Sequence, residues 1–220
     1  MTDINIKDIC FLIDFDGTIT KMDSNDLLVE KFSHNPIKDI SQTEGEVNFM
    51  ESFSFLINNV NITEEEYLEF MLKEVELTKG FYDFYKKSKS LNIPMAVISG
   101  GFENGILPFL NKHDIKDIDV YANRLNFGDN NISIEYYHNI DDCCDIGSCG
   151  NCKVIHYERY KKDNKKVIFI GDGITDRSVA GKADIVFAKD GLLKYCNKND
   201  IDCIPWKDFD DISKIIFGTI

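Results

Sequence analysis

FLIDFDGTIT, Phe11 to Thr20, carries an apolar run straight into two aspartates one residue apart, Asp14 and Asp16, and then into a Gly-Thr turn. Asp-Gly after a strand is an ordinary turn signal and alone proves little. Residues i and i+2 of an extended segment point to the same face, however, so both carboxylates are expected to share one small volume at the carboxyl end of a buried strand. Like charges that close are costly unless a cation lies between them or one acid holds a proton. The pair points to a metal site, an acid/base site, or both.

Two further runs resemble ICFLIDF (Ile9 to Phe15): MAVISG (Met95 to Gly100) and KVIFIGD (Lys166 to Asp172), each almost continuously apolar and ending in small or acidic residues. Such runs suit central strands of a parallel sheet covered on both faces. Helical patterns precede the second and third, GFYDFYKKSKSLN and CKVIHYERYKKDN. The expected fold is α/β, a doubly wound parallel sheet whose crevice lies outside the carboxyl ends of its strands. Two segments break the alternation. Residues 22–76 are charged, aromatic-rich and helical in spacing, too long for a βα loop, and are expected to form a helical cap inserted into a core of residues 1–21 and 77–220. Within them, Thr63 before three glutamates is a helix N-cap signal. The second break, ANRLNFGDNNISIEYY, predicts a hairpin with GDNN at its tip.

The formal charge of −13, from 25 basic and 38 acidic residues, argues against a nucleic-acid or anionic-membrane partner. No apolar run approaches membrane-spanning length, and MTDINIKDIC lacks the layout of a signal peptide, so a cytoplasmic protein is expected, monomer or homodimer. Four of the seven cysteines, Cys143, Cys144, Cys149 and Cys152, cluster in DCCDIGSCGNCK. In a reducing compartment the default reading of such a cluster is free thiols in a loop; a structural Zn²⁺ enclosed by the four thiolates and a reversible disulfide are the alternatives. Adjacent Cys143 and Cys144 count against the metal, because neighbours in an extended chain point apart.

The strand ends carry the remaining candidates. Ser99 precedes Gly100 and Gly101, and a hydroxyl with exposed amides at a helix N-terminus can cradle phosphate. GDGITD offers Asp172 at a strand tip and Asp176 four residues on, and Lys153 opens a helical pattern between the two motifs. Each feature alone has a bland reading as a turn, a loop or a solvated lysine. Their joint order is far less common.

DFDGT, ISGG, a following lysine and GDGITD resemble the four motifs of the haloacid dehalogenase superfamily of phosphatases, over nearly the whole chain. The helical insertion and ANRL resemble its phosphoserine-phosphatase-like branch, and CGNCK, VIHYE and IVFAKDGLLKYC resemble the methionine-salvage phosphatases that act on 2-hydroxy-3-keto-5-methylthiopentenyl-1-phosphate. The resemblance implies a small phosphate ester as substrate. Asp14 would be the nucleophile and Asp16 the acid/base. Mg²⁺ would be held by Asp14, the carbonyl of Asp16, and Asp172. Ser99, Gly100 and Lys153 would bind the phosphoryl group, and Asp176 would orient Lys153 or a metal-bound water.

Phosphoserine phosphatases are described as holding the amino-acid end of the substrate with a cap glutamate and a cap arginine. Here Asp23 follows the first motif and residues 22–76 contain no arginine, leaving lysines such as Lys31, Lys38 and Lys73. Phe49, Met50, Phe53 and Phe55 could line an apolar pocket instead, although aromatic residues at helical spacing are more often core. Phosphoserine phosphatase activity is the first alternative. A non-catalytic regulatory or metal-binding module on the same fold is the second.

Overall fold

The computed structural model describes residues 5–34, 49–128, 132–141, 143–144, 147–162 and 165–218. Strand β1 (Ile9–Ile13) is fully buried and lies between β2 (Met95–Phe102) and β5 (Lys166–Gly171), parallel to both. Outward from these run β3 (Asp119–Phe127) and β4 (Ile132–Glu135) on one side, β6 (Ile185–Ala188) and β7 (Ile204–Pro205) on the other. The seven-stranded order is β4-β3-β2-β1-β5-β6-β7, parallel except for the β3–β4 hairpin. Because the chain winds away from β1 in both directions, the order switches there, and the crevice of such a sheet opens outside β1's carboxyl end.

The period of two along β1 divides its side chains between two apolar layers. Ile9, Phe11 and Ile13 join one cluster with α4 (Phe81–Ser90), α5 (Glu103–Lys112) and α9 (Phe209–Phe217). Cys10 and Leu12 join the other, with Tyr157 of α6 (Lys153–Lys161), Val179 of α7 (Arg177–Ala180) and Leu192 of α8 (Asp190–Lys198). Burial on both faces is why these strands read as continuous apolar runs.

Among the described residues, three α-helices stand between β1 and α4: α1 (Ser24–Phe32), α2 (Phe49–Asn58) and α3 (Glu64–Lys73). Helix α3 starts at a capping box, Thr63 Oγ1 accepting from the Glu66 amide and Glu66 accepting from the Thr63 amide. It packs on α5, while α2 packs on β4. The larger apolar cluster continues without a break into these helices through Phe53, Tyr67, Phe70 and Met71. Tyr136, just past β4, ties α2 down: its hydroxyl lies 2.8 Å from the Met50 carbonyl and 2.8 Å from Ser54 Oγ.

Several boundaries differ from the sequence reading. β1 stops at Ile13 because the next residues enter a turn. β3 begins four residues before Asn123, pairs with β2 and only then forms the hairpin with β4. The short strands β6 and β7 were not anticipated; IVFA and IP lack the length that announces a strand. The tip residues 129–131 and Lys38 lie outside the described residues. Among the described residues, no helix is long and apolar enough to cross a membrane.

Candidate active site

The turn after β1 delivers the first acids. Asp14 keeps an extended backbone, and the Thr20 amide then bonds the Phe15 carbonyl at 3.0 Å, closing a wide turn over Phe15–Ile19. Gly17 sits at φ +69°, and a Cβ there would lie 2.4 Å from Asp172 Oδ2. Glycine is required both for the left-handed backbone and for the approach of Asp172. Thr18, which the sequence marks only as a turn residue, donates its hydroxyl to Asp172 Oδ1 at 2.8 Å.

At the base of the site Lys153, 1% exposed, reaches Asp14 Oδ1 and Asp176 Oδ1, each at 2.5 Å. Burial pulls the lysine pKa down, but the two carboxylates more than offset this, and the ammonium is held above its ordinary value. The other oxygen of Asp176 accepts the amides of Asp172 and Gly173 at 2.8 and 2.9 Å. Asp176 is thus committed to donors from its own loop and to Lys153. Gly171 leaves room for it, since a Cβ there would lie 2.4 Å from Asp176 Oδ2. Burial first, then the charge of Asp176, push Asp172 up to about 6. Asp14 is raised by burial, then by Asp176, against the pull of Lys153.

Asp16 is turned to a different set of partners. Its Oδ1 accepts the Ser24 amide at 3.2 Å and the Ser24 hydroxyl, and its Oδ2 accepts Ser99 Oγ at 3.1 Å. Burial raises its pKa in spite of these bonds. The like charges that weigh most on Asp14 are Asp176 and Asp172, on the loop after β5, rather than its sequence neighbour Asp16. Ser99 Oγ also accepts the Gly101 amide at 2.8 Å. β2 stays extended to Phe102, and α5 follows at Glu103, where the sequence places it. A Cβ at Gly101 would come within 2.5 Å of Asp16 Oδ2, whereas Gly100 has open space above it.

Carboxylate oxygens of Asp14, Asp172 and Asp176 lie within 4.8 Å of one another. Lys153 takes one oxygen of Asp14 and Thr18 one of Asp172, which leaves each acid a second oxygen. Carboxylates so close together suit a hard divalent cation. Asp14 and Asp172 face a cleft of about 580 Å³, bounded also by Asp16, Gly100 and Ile174, with Val29, Phe49, Phe53 and Leu56 as an apolar wall. Of the four residues expected on such a wall, Phe49 and Phe53 line it, while Met50 and Phe55 do not. Phe53 stacks between Phe49 and Phe102, with centroids 5.7 and 5.6 Å away. No arginine or lysine is among the described residues lining the cleft. Lys31 and Lys73 are instead paired with Glu74 and Glu69 at the surface.

Sequence reasoning missed Ser24 and Asn151. Ser24 follows Asp23, whose side chain caps α1 by accepting the amides of Asn25 and Asp26 at 2.8 and 3.2 Å. The D-S-N-D cap pattern is a signal that could have located it. Asn151 bonds the Ser99 and Tyr121 carbonyls, each at 2.8 Å, with nothing in its residue type to announce it. The four clustered cysteines do converge, their sulfurs all within 4.8 Å of one another, and none lines the cleft. The objection that adjacent Cys143 and Cys144 point apart fails. The Cys143 and Cys144 sulfurs lie within 4.8 Å of each other and of those of Cys149 and Cys152.

The haloacid dehalogenase-like hydrolase family matches residues 11–181, which carry every acid, serine and lysine of the site. Relatives from Bacillus cereus and Bacillus thuringiensis, both named 2-hydroxy-3-keto-5-methylthiopentenyl-1-phosphate phosphatase, are 32% identical over 202 residues, 90% of this chain and 91% of theirs. A solved substrate-bound phosphoserine phosphatase shares the fold with a TM-score of 0.68 at 22% identity, covering 95% of this chain and 98% of that one. A haloacid dehalogenase family hydrolase from Salmonella enterica serovar Typhi gives 0.72 at 16% identity, over 97% and 72%. Sequence relatives and site chemistry agree: the chain belongs to the haloacid dehalogenase-like hydrolases and is a phosphoric monoester hydrolase.

Proposed function

We propose that the chain hydrolyses 2-hydroxy-3-keto-5-methylthiopentenyl-1-phosphate, through a phosphorylated Asp14. The observation that carries the chemistry is the buried Lys153 held between Asp14 and Asp176, while Asp14, Asp16 and Asp172 line the adjoining cleft. Asp14 attacks phosphorus in line. Asp16, whose buried carboxyl retains its proton more readily than an ordinary aspartate, protonates the leaving alkoxide and afterwards takes a proton from the attacking water. Lys153 and Ser99, with the Gly100 amide, hold the phosphoryl oxygens and offset their charge. Asp176 keeps the Lys153 ammonium in place. Mg²⁺ held by Asp14, Asp172 and the carbonyl of Asp16 would add positive charge where the phosphoryl oxygens lie.

Residues 22–76 act in this reading as a cap that covers the leaving group. A charged substrate end needs a buried partner, and the described residues of the lining supply neither arginine nor lysine for a carboxylate. A neutral leaving group with a thioether tail fits the wall of Val29, Phe49, Phe53 and Leu56 better. The names of the sequence relatives support the same choice. The test is kcat/KM for this ester and for phosphoserine, with Mg²⁺. The thioether ester should be preferred, and Phe53→Ala should remove about 1–3 kcal/mol of that preference. A higher kcat/KM for phosphoserine would overturn the assignment.

A further inference from the structure

The loop joining β4 to α6 brings four cysteine sulfurs together for no purpose in phosphoryl transfer. Cys143 Sγ lies 3.3 Å and Cys144 Sγ 3.9 Å from Cys149 Sγ, and all four sulfurs fall within 4.8 Å of one another. A tetrahedral zinc with Zn–S bonds of about 2.3 Å sets its sulfurs about 3.8 Å apart, in the middle of these values. A disulfide needs an S–S separation of about 2.05 Å and engages only two of the four. No cysteine of the chain is in a disulfide. Cys149 and Cys152 are buried, and Cys143 and Cys144 half-buried, so the group is enclosed on one side and reachable on the other.

The loop is shaped around these sulfurs. Gly147 and Gly150 take φ of +84° and +74°, left-handed conformations that favour glycine. His138 fastens the loop twice, its amide donating to the Gly150 carbonyl at 2.8 Å and its Nδ1 accepting the Cys152 amide at 3.1 Å.

We propose that Cys143, Cys144, Cys149 and Cys152 bind one zinc ion, which sets the position of Lys153 and of the Ser99 backbone. Binding exchanges four thiol protons for one Zn²⁺, with four Zn–S bonds formed and no change of oxidation state. Cys152 caps α6 and Lys153 is its first residue, so a metal on Cys149 and Cys152 fixes the chain immediately before the lysine that bonds Asp14 and Asp176. Between them Asn151 bonds the Ser99 and Tyr121 carbonyls and the ring of His156 at 2.8 Å each. Residues 149–153 are thus a strap with the metal at one end, the phosphate-site lysine at the other, and a latch onto β2 and β3 between. The cysteines themselves touch no substrate; they are positioning residues.

The full chain, expressed with zinc and purified anaerobically without chelator, is measured by elemental analysis and native mass spectrometry. About one zinc per chain is expected, and Cys149→Ser should lose it. Stripping the parent protein and titrating with Co²⁺ should give intense thiolate-to-cobalt charge-transfer absorption, a readout that needs no variant to fold. Zinc-stripped protein, kept reduced and supplied with Mg²⁺, should lose about 100-fold in kcat/KM and bind inorganic phosphate more weakly, as displacement of a positioned group by about 1 Å would produce. Readdition of zinc should restore both. Less than one zinc per several chains, a Cys143–Cys149 disulfide in its place, or cobalt spectra without thiolate bands would overturn the site. Unchanged kcat/KM and phosphate affinity after stripping would overturn its link to Lys153. Metal content and cobalt spectra do not depend on which ester is hydrolysed, so failure of the substrate assignment is distinguishable from failure of this one.

Discussion

Asp172→Asn separates the energetic burden of an acid in this site from its use. Burial and the neighbouring charge of Asp176 raise Asp172 from 3.8 to about 6. A raised acid favours the folded state when protonated, so this contribution is fully present below pH 3.8 and is lost as pH rises through about 6. The displacement spans about two pH units, roughly a hundredfold in equilibrium, so ionised Asp172 burdens the metal-free protein by up to about 3 kcal/mol at neutral pH. For a chain of this length that is about 6–12 °C in Tm. Asparagine retains an acceptor for the Thr18 hydroxyl, so the variant relieves charge without orphaning that donor. In thermal melts with chelator, Asp172→Asn should therefore be more stable than the parent at pH 7.5, and the difference should shrink towards zero as pH falls below 4. Mg²⁺ should raise the parent's Tm at pH 7.5 and leave the variant's nearly unmoved. A variant less stable than the parent at pH 7.5 without metal would refute the reasoning.

Asp14→Asn should abolish turnover in a protein with unchanged circular dichroism, because an amide neither attacks phosphorus nor carries the charge that Lys153 faces; steady-state turnover of the parent's preferred ester is the check. Lys153→Met leaves Asp14 and Asp176 buried without their cation, and urea denaturation at pH 7.5 should show a loss of about 3–5 kcal/mol that diminishes in acid as those carboxylates protonate. Gly101→Ala places a methyl 2.5 Å from Asp16 Oδ2 and 3.1 Å from Ser99 Oγ. Displacing this acid should lower kcat by about 100-fold while costing about 1–3 kcal/mol of stability in the same denaturation assay.

The central strands were legible because burial on both faces demands unbroken apolar runs, and β1, β2 and β5 are such runs. β6 and β7 were not: at four and two residues they owe their existence to pairing with β5 and with each other, a long-range fact with little local trace. The acids, Ser99 and Lys153 could be found because strand-end chemistry has a recognisable order. What each acid faces could not. Two carboxylates two residues apart suggested mutual repulsion, but the turn after Ile13 rotates Asp16 towards Ser24 and Ser99 while the loop after β5 brings Asp172 and Asp176 to Asp14. Nor does sequence spacing reveal that Asn151 serves as a latch, since its partners are carbonyl groups that every residue possesses.

Tyr136 gives the molecule a mechanical property. Its hydroxyl holds the first turns of α2 at Met50 and Ser54, and α2 carries Phe49 and Phe53, the same rings that flank the cleft. Widening the entrance by swinging α2 must therefore rupture this phenol's attachments, each worth about 1 kcal/mol. That is a light bolt, easily thrown by thermal motion and as easily reset. Entry and departure of ligand would then depend in part on how often this tyrosine lets go, and residence time becomes adjustable at a position that does not line the cleft.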